Sequence, residues 1–170
     1  MLKIINDLKP FFEDNYRRIN VREYSRIISI SPPTASKLLE EYRKEGLLKR
    51  EDDKNYFYYL ANKESSLFIA LSRIYHKNLL EKSGLIEHLE KDLLNPIIVL
   101  FGSLSKAEAK NDSDIDLAIF TPTKKEISLK KYEAILKREI QLFVFEDRKD
   151  VKNINLFNNI LNGYKITGNW

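Results

Sequence analysis

Two aspartates at i and i+2, Asp114 and Asp116, head the apolar stretch DIDLAIF, and the pair Gly102-Ser103 closes the apolar run NPIIVLF. On an extended strand, residues i and i+2 share a face, with backbones roughly 6–7 Å apart. Two carboxylates about 5 Å apart repel by roughly 3 kcal/mol at an effective dielectric of about 20. A divalent cation turns that repulsion into coordination, and Mg²⁺ takes one or two carboxylates together with substrate phosphates. A glycine lets backbone N–H groups approach a phosphate closely, and a serine hydroxyl beside it adds a donor. These four residues describe a site for a metal-bound nucleoside triphosphate. The alternative is a surface loop carrying acids by chance.

The site needs particular elements to hold it. NPIIVLF, a continuous apolar run after a proline, reads as a buried strand. LSKAEAK reads as a short helix-like segment and NDS as a turn. In DIDLAIF, Ile115, Leu117 and Ile119 face one way and Asp114 and Asp116 the other. A later strand, REIQLFVF at 138–145, sets Ile140, Leu142 and Val144 on one face and Glu139, Gln141 and Phe143 on the other.

Gly-Ser, ten residues, then Asp-x-Asp on a strand resembles the nucleotidyltransferase superfamily of DNA polymerase beta, especially its minimal bacterial and archaeal members, over roughly residues 85–145. The resemblance implies that Gly102 and Ser103 hold the triphosphate, with Lys106 nearby, while Asp114 and Asp116 bind Mg²⁺ or Mn²⁺. It implies in-line transfer of a nucleoside monophosphate, most plausibly AMP from ATP, to a protein or RNA hydroxyl. Some relatives act as antitoxins that add AMP to a HEPN-type toxin, and others are fused to DNA-binding domains.

Two departures stand out. Where the family often has Arg-Gly after Gly-Ser, this chain has Lys106-Ala107; lysine keeps the charge without the fork, and alanine lacks glycine's backbone freedom. Active members usually carry a third carboxylate on a later strand. The matching position here is Gln141, with Glu139 as a substitute after a register shift, and Glu146 and Asp147 lie beyond the strand as solvated acids. An amide oxygen can ligate Mg²⁺ but brings no charge and accepts no proton. Whether the domain is an enzyme therefore stays open: a degenerate one would only bind nucleotide or a protein partner.

The first sixty residues read differently. Residues 21–28 form a short helix with Val21, Tyr24, Ile27 and Ile28 on one face. Ser31 caps a second helix, with Pro32 and Pro33 in its first turn, Ala35, Leu38, Leu39 and Tyr42 at helical spacing, and Gly46 at its end. LLKRE and NYFYYLA then read as strands joined by the turn DDK. This order resembles the winged helix-turn-helix family over about residues 1–62, in pattern rather than by a diagnostic motif. The resemblance implies that Thr34, Ser36, Lys37 and Arg43 face DNA and that Lys49, Arg50 and Lys54 lie on or near the wing. Glu40, Glu41, Asp52 and Asp53 would repel phosphate, so a domain for protein contacts alone is the alternative.

Residues 64–94 carry Leu67, Ala70, Leu71 and Ile74, then Leu85, Ile86, Leu89 and Leu93, at helical spacing, with a break at Ser83-Gly84. Such a connector commonly serves as a spacer and dimer surface. His76 and His88 are read as ordinary helix-surface residues. In the tail, Ile154, Phe157, Ile160 and Leu161 predict a last helix ended by Gly163, and Trp170 is as readily disordered as docked.

Composition sets the outer bounds. The 170 residues are 43% hydrophobic and 32% charged, enough for a core. No cysteine is present, so disulfides and thiolate chemistry are excluded. No apolar run approaches a membrane span, and the N-terminus acquires acids too early for a secretory signal, so a soluble cytoplasmic protein is expected. The net charge of +4 is shared evenly between the two parts; nucleic-acid binding must come from arrangement rather than bulk charge. The expected fold class is α+β: a winged helix-turn-helix at 1–62, a helical connector at 63–94, and a nucleotidyltransferase fold at 95–170, with a small mixed sheet flanked by helices. A homodimer is the expected assembly.

Overall fold

The computed structural model describes residues 2–53 and 56–169, so Lys54 and Trp170 lie outside the described residues. The chain forms two compact units. The first comprises the residues up to Ser72 together with Ala107–Asn111, and the second comprises Arg73–Lys106 and Asp112 onward.

The first unit starts with α1 (Lys3–Asp7) and α2 (Lys9–Glu13), then β1 (Ile19–Asn20), α3 (Val21–Ile27), α4 (Pro32–Lys44), β2 (Leu48–Asp53) and β3 (Tyr56–Ala61). Asn20 caps α3 through Glu23 N–H, and Ser31 caps α4 through Thr34 N–H. Gly46, at φ 74°, ends α4 as the sequence predicts. The strands form an antiparallel sheet in the order β1-β3-β2. Asp52 and Asp53 are not turn residues: they close β2 opposite Phe57 and Tyr56. On α3, Tyr24 and Ser25 are buried whereas Ile27 is exposed, so the expected apolar face is rotated. Tyr24 and Tyr42 both donate to the buried Asp7, to its carbonyl and its carboxylate respectively, and burial pushes both phenols well up.

The chain passes from the first unit to the second within α5 (Ser66–Lys82), which Gly84 separates from α6 (Leu85–Asp92). The face expected on α5 is corrected: Leu67 and Ile74 are exposed, while Phe68, Ser72, Tyr75, His76 and Leu80 are buried. The helix has apolar residues on most of its circumference, so periodicity alone points to the wrong stripe. His76 is therefore an interior residue, its ring edge-on to Tyr75. His88 also has an acidic neighbour, Asp92 one turn on, at 3.9 Å.

The second unit continues with β4 (Ile97–Phe101), α7 (Gly102–Lys106), β5 (Ile115–Phe120), α8 (Lys130–Leu136), β6 (Ile140–Phe145), a 3₁₀ turn at Arg148–Asp150, α9 (Ile154–Leu161) and β7 (Tyr164–Thr167). The sheet order is β6-β5-β4-β7; β5 and β6 run parallel and the other pairs antiparallel. This is the small mixed sheet flanked by helices expected for the C-terminal part of the chain. One face of the sheet carries a core of Val99, Phe101, Ala118, Phe120, Val151 and Ile160, with Phe143, Phe145, Leu156 and Phe157 against it. Alternation puts the buried Ile98, Leu100, Ile115, Leu117 and Ile119 on the other. On α9 only Ile160 of the four expected residues is fully buried, and Ile154 and Leu161 are exposed.

Candidate nucleotide site

Register builds the site. In the β4–β5 pair Phe101 stands opposite Asp116, so Gly102 emerges beside the Asp116 side chain. Alternation aims Asp116 to the face that holds Ala118 and Phe120, at the open end of their core. Gly102 has φ 69°, and a Cβ on it would lie 2.1 Å from Asp116 Oδ2. Both the left-handed backbone and the close approach demand glycine there. The carboxylate thus packs on the first residue of α7, next to Ser103, which is half-buried.

Asp116 is half-buried, and desolvation, then the charge of Asp114, holds its pKa above the ordinary carboxylate value. A cation or a proton relieves both effects. Asp114 lies just before β5, where Arg138 donates to the Ser113 carbonyl and fixes the turn. In the parallel β5–β6 register Gln141 stands directly opposite Asp116, and its Nε2 donates to Asp114 Oδ2 at 2.7 Å. Gln141, the residue read as matching the third carboxylate, therefore faces this pair of aspartates from β6. The register shift needed to bring Glu139 there does not occur; its carbonyl accepts from Ile115 N–H as the sheet begins.

Among the described residues no group of three or more His, Cys, Asp or Glu side chains could hold a metal ion. The donor set nevertheless fits one divalent cation on Asp114 and Asp116: two adjacent carboxylates, one of them partly desolvated, with an amide whose oxygen a flip would present. It does not fit two ions sharing three carboxylates.

Lys106 ends α7 and donates through Nζ to Asn159 Oδ1 of α9 at 2.8 Å. Ala107 follows with φ 56° and is fully buried. The backbone therefore takes the left-handed turn that glycine would adopt freely, with alanine in its place. Sequence reasoning missed Arg73, whose Nε donates to the Ser105 carbonyl at 2.7 Å and whose Nη2 reaches the Asn162 carbonyl at 3.2 Å, tying α7 to the end of α9. Nothing local marks these ties, which join residues far apart in sequence.

The candidate DNA-facing residues lie on α4 and β2 of the first unit. Thr34 and Ser36 are exposed, and the Thr34 hydroxyl lies 2.8 Å from that of Ser31. The cations have carboxylate neighbours: Arg43 donates to Glu40 at 2.9 Å, Lys49 to Glu64 at 2.8 Å, Arg50 lies 3.4 Å from Asp52, and Lys37 is 4.0 Å from Glu41. The Arg43 hydrogen bond, above all, holds the Glu40 carboxyl below its ordinary range. Among the described residues no helix is long and apolar enough to cross a membrane.

The family model described as polymerase beta, nucleotidyltransferase matches residues 84–168, from the glycine ahead of α6 to the end of β7. No curated protein and no solved structure matches the chain.

Proposed function

The chain belongs to the polymerase beta nucleotidyltransferase family, and from that premise we propose that it transfers a nucleoside monophosphate, AMP in the first instance, from ATP to a protein or RNA hydroxyl. The family implies a nucleoside triphosphate substrate and generally uses divalent metal ions. The observation that carries the reading is the pressing of Asp116 onto Gly102, with Asp114 two residues before it. That geometry places carboxylates beside the backbone start of α7, where triphosphate oxygens would meet N–H groups and the Ser103 hydroxyl. Asp114 and Asp116 would hold Mg²⁺ or Mn²⁺, which supplies charge neutralisation at the phosphates when bound. Lys106 would leave Asn159 to add a positive charge.

We assign the first unit to a winged helix-turn-helix that binds DNA. Its support is the order of β1, two helices and a two-stranded ribbon, with Thr34, Ser36, Lys37, Arg43, Lys49, Arg50 and Lys54 as contacts. A HEPN-type toxin as the acceptor, and a homodimer as the assembly, complete an antitoxin-like reading.

A second reading has its own observation. The Gln141 side chain, read as standing in for a third acid, donates its amide to Asp114, which suits a nucleotide sensor or partner-binding domain in a transcription regulator. Incubation with α-labelled ATP, Mg²⁺ or Mn²⁺ and host lysate separates the two. Label on a protein or RNA band that disappears in Asp114→Asn/Asp116→Asn supports the enzyme; absence of label under both metals supports the sensor.

A further inference from the structure

Arg17, Arg18, Arg43 and Arg50 of the first unit each have a carboxylate within 4.0 Å. Arg22 and Arg26 are the exceptions among its described arginines. They are exposed on α3 one helical turn apart, and neither has such a partner. Both line an open cleft of about 590 Å³ whose opposite wall is the start of β3, where Tyr56 and Phe57 are 58% and 49% exposed. Glu23 also lines the cleft, but Arg17 holds its carboxylate at 2.7 Å. The Arg50 guanidinium stacks on Phe57, 4.4 Å from the ring centroid.

We propose that this cleft binds single-stranded nucleic acid, with Arg22 and Arg26 on successive phosphates and the Tyr56 and Phe57 rings stacking on unpaired bases. Exposed rings beside unpaired guanidiniums form the usual combination for strands whose bases are free to stack, whereas a duplex keeps its base faces covered. The volume admits a nucleotide, and charge complementarity selects the phosphate backbone. The surface is centred on α3 and the start of β3 rather than on α4, and meets the residues assigned to duplex DNA only at Arg50, which covers one side of the Phe57 ring. It depends neither on that assignment nor on nucleotidyl transfer.

The test is fluorescence anisotropy of the full chain with labelled oligonucleotides of about 12 nucleotides, as single-stranded RNA, single-stranded DNA and duplex DNA, at low and moderate salt. Single strands should bind, with RNA and DNA arms deciding which sugar is preferred. Arg22→Ala/Arg26→Ala should weaken single-strand binding at least about tenfold and reduce the salt slope by about 1.4, at roughly 0.7 for each phosphate no longer neutralised. Tyr56→Ala should cost about tenfold, and Tyr56→Phe should keep affinity because the ring remains. Far-UV circular dichroism checks the fold; if the double arginine variant is not native, the exposed Tyr56 pair decides. Duplex-only binding, or single-strand affinity unchanged in these variants, overturns the proposal, and neither result bears on the labelling experiment.

Discussion

Gly102 lies so close to Asp116 that a Cβ on it would stand 2.1 Å from the carboxylate oxygen Oδ2. Gly102→Ala should therefore cost about 1–2 kcal/mol for the left-handed backbone alone, and should push Asp116 from its position. If the domain labels an acceptor, a displacement of about 1 Å would lower that activity on the order of 100-fold. Urea unfolding and labelling measured together check this. Native stability with full activity would show that the carboxylate has another resting place.

Asp116→Asn should raise stability at neutral pH. The folded-state pKa of Asp116 is raised by desolvation and then by Asp114, so the folded state holds the proton more tightly than the unfolded chain. The corresponding stability is present in full below the unfolded pKa and is lost as pH rises through the folded one. The asparagine lacks this loss, so its advantage should appear above the carboxylate range and fade as pH falls through it. Thermal unfolding across pH for both proteins measures the difference.

Mg²⁺ should stabilise the wild type by about 1.4 kcal/mol at ten times its dissociation constant, and Asp114→Asn/Asp116→Asn should abolish the effect. An equal response from the double variant would place the ion elsewhere.

Gln141→Glu puts a third carboxylate opposite Asp116 and replaces the hydrogen bond to Asp114 with repulsion, about 1 kcal/mol in a water-like medium at 4 Å. Without metal the variant should be less stable at neutral pH, and its response to Mg²⁺ should be steeper. Calorimetric titration with Mg²⁺ is the direct check; unchanged affinity would show that position 141 lies outside the ion's reach.

Ala107→Gly should stabilise by up to about 1 kcal/mol, since the left-handed residue loses its Cβ penalty but gains unfolded-state entropy. Chemical denaturation measures it. Destabilisation would mean that the buried methyl contributes more through packing than its conformation costs.

The legible parts of the fold were those whose cause is local. Ser31 and Gly46 bracket α4 with a cap and a left-handed stop, and Gly102-Ser103 and Asp114-x-Asp116 carry their own spacing. Long-range causes were not legible. β7 is a four-residue strand that exists because β4 offers it an edge, and β1 is two residues paired with β3. Neither has room for a pattern. The buried stripe of α5 was hidden because apolar residues occupy both candidate faces. The hydrogen bond from the Gln141 amide to Asp114 joins positions 27 apart; the sequence marked the missing charge but not the hydrogen bond that replaces it.

The stretch Ala107–Asn111 lies between Gly102-Ser103 and Asp114 in sequence yet belongs to the first unit, where Asn15 grips Ala109 through its backbone N–H and its side-chain oxygen, at 2.8 and 2.6 Å. The first unit is therefore not continuous in the chain. During synthesis on a ribosome it stays one strap short until residue 111 has emerged, although its other residues are finished by Ser72. A gene cut anywhere between those points yields an N-terminal product in which the buried Asn15 keeps its bond to the Phe11 carbonyl but loses both bonds to Ala109, so the two units cannot be parted by a single break without loss to the first.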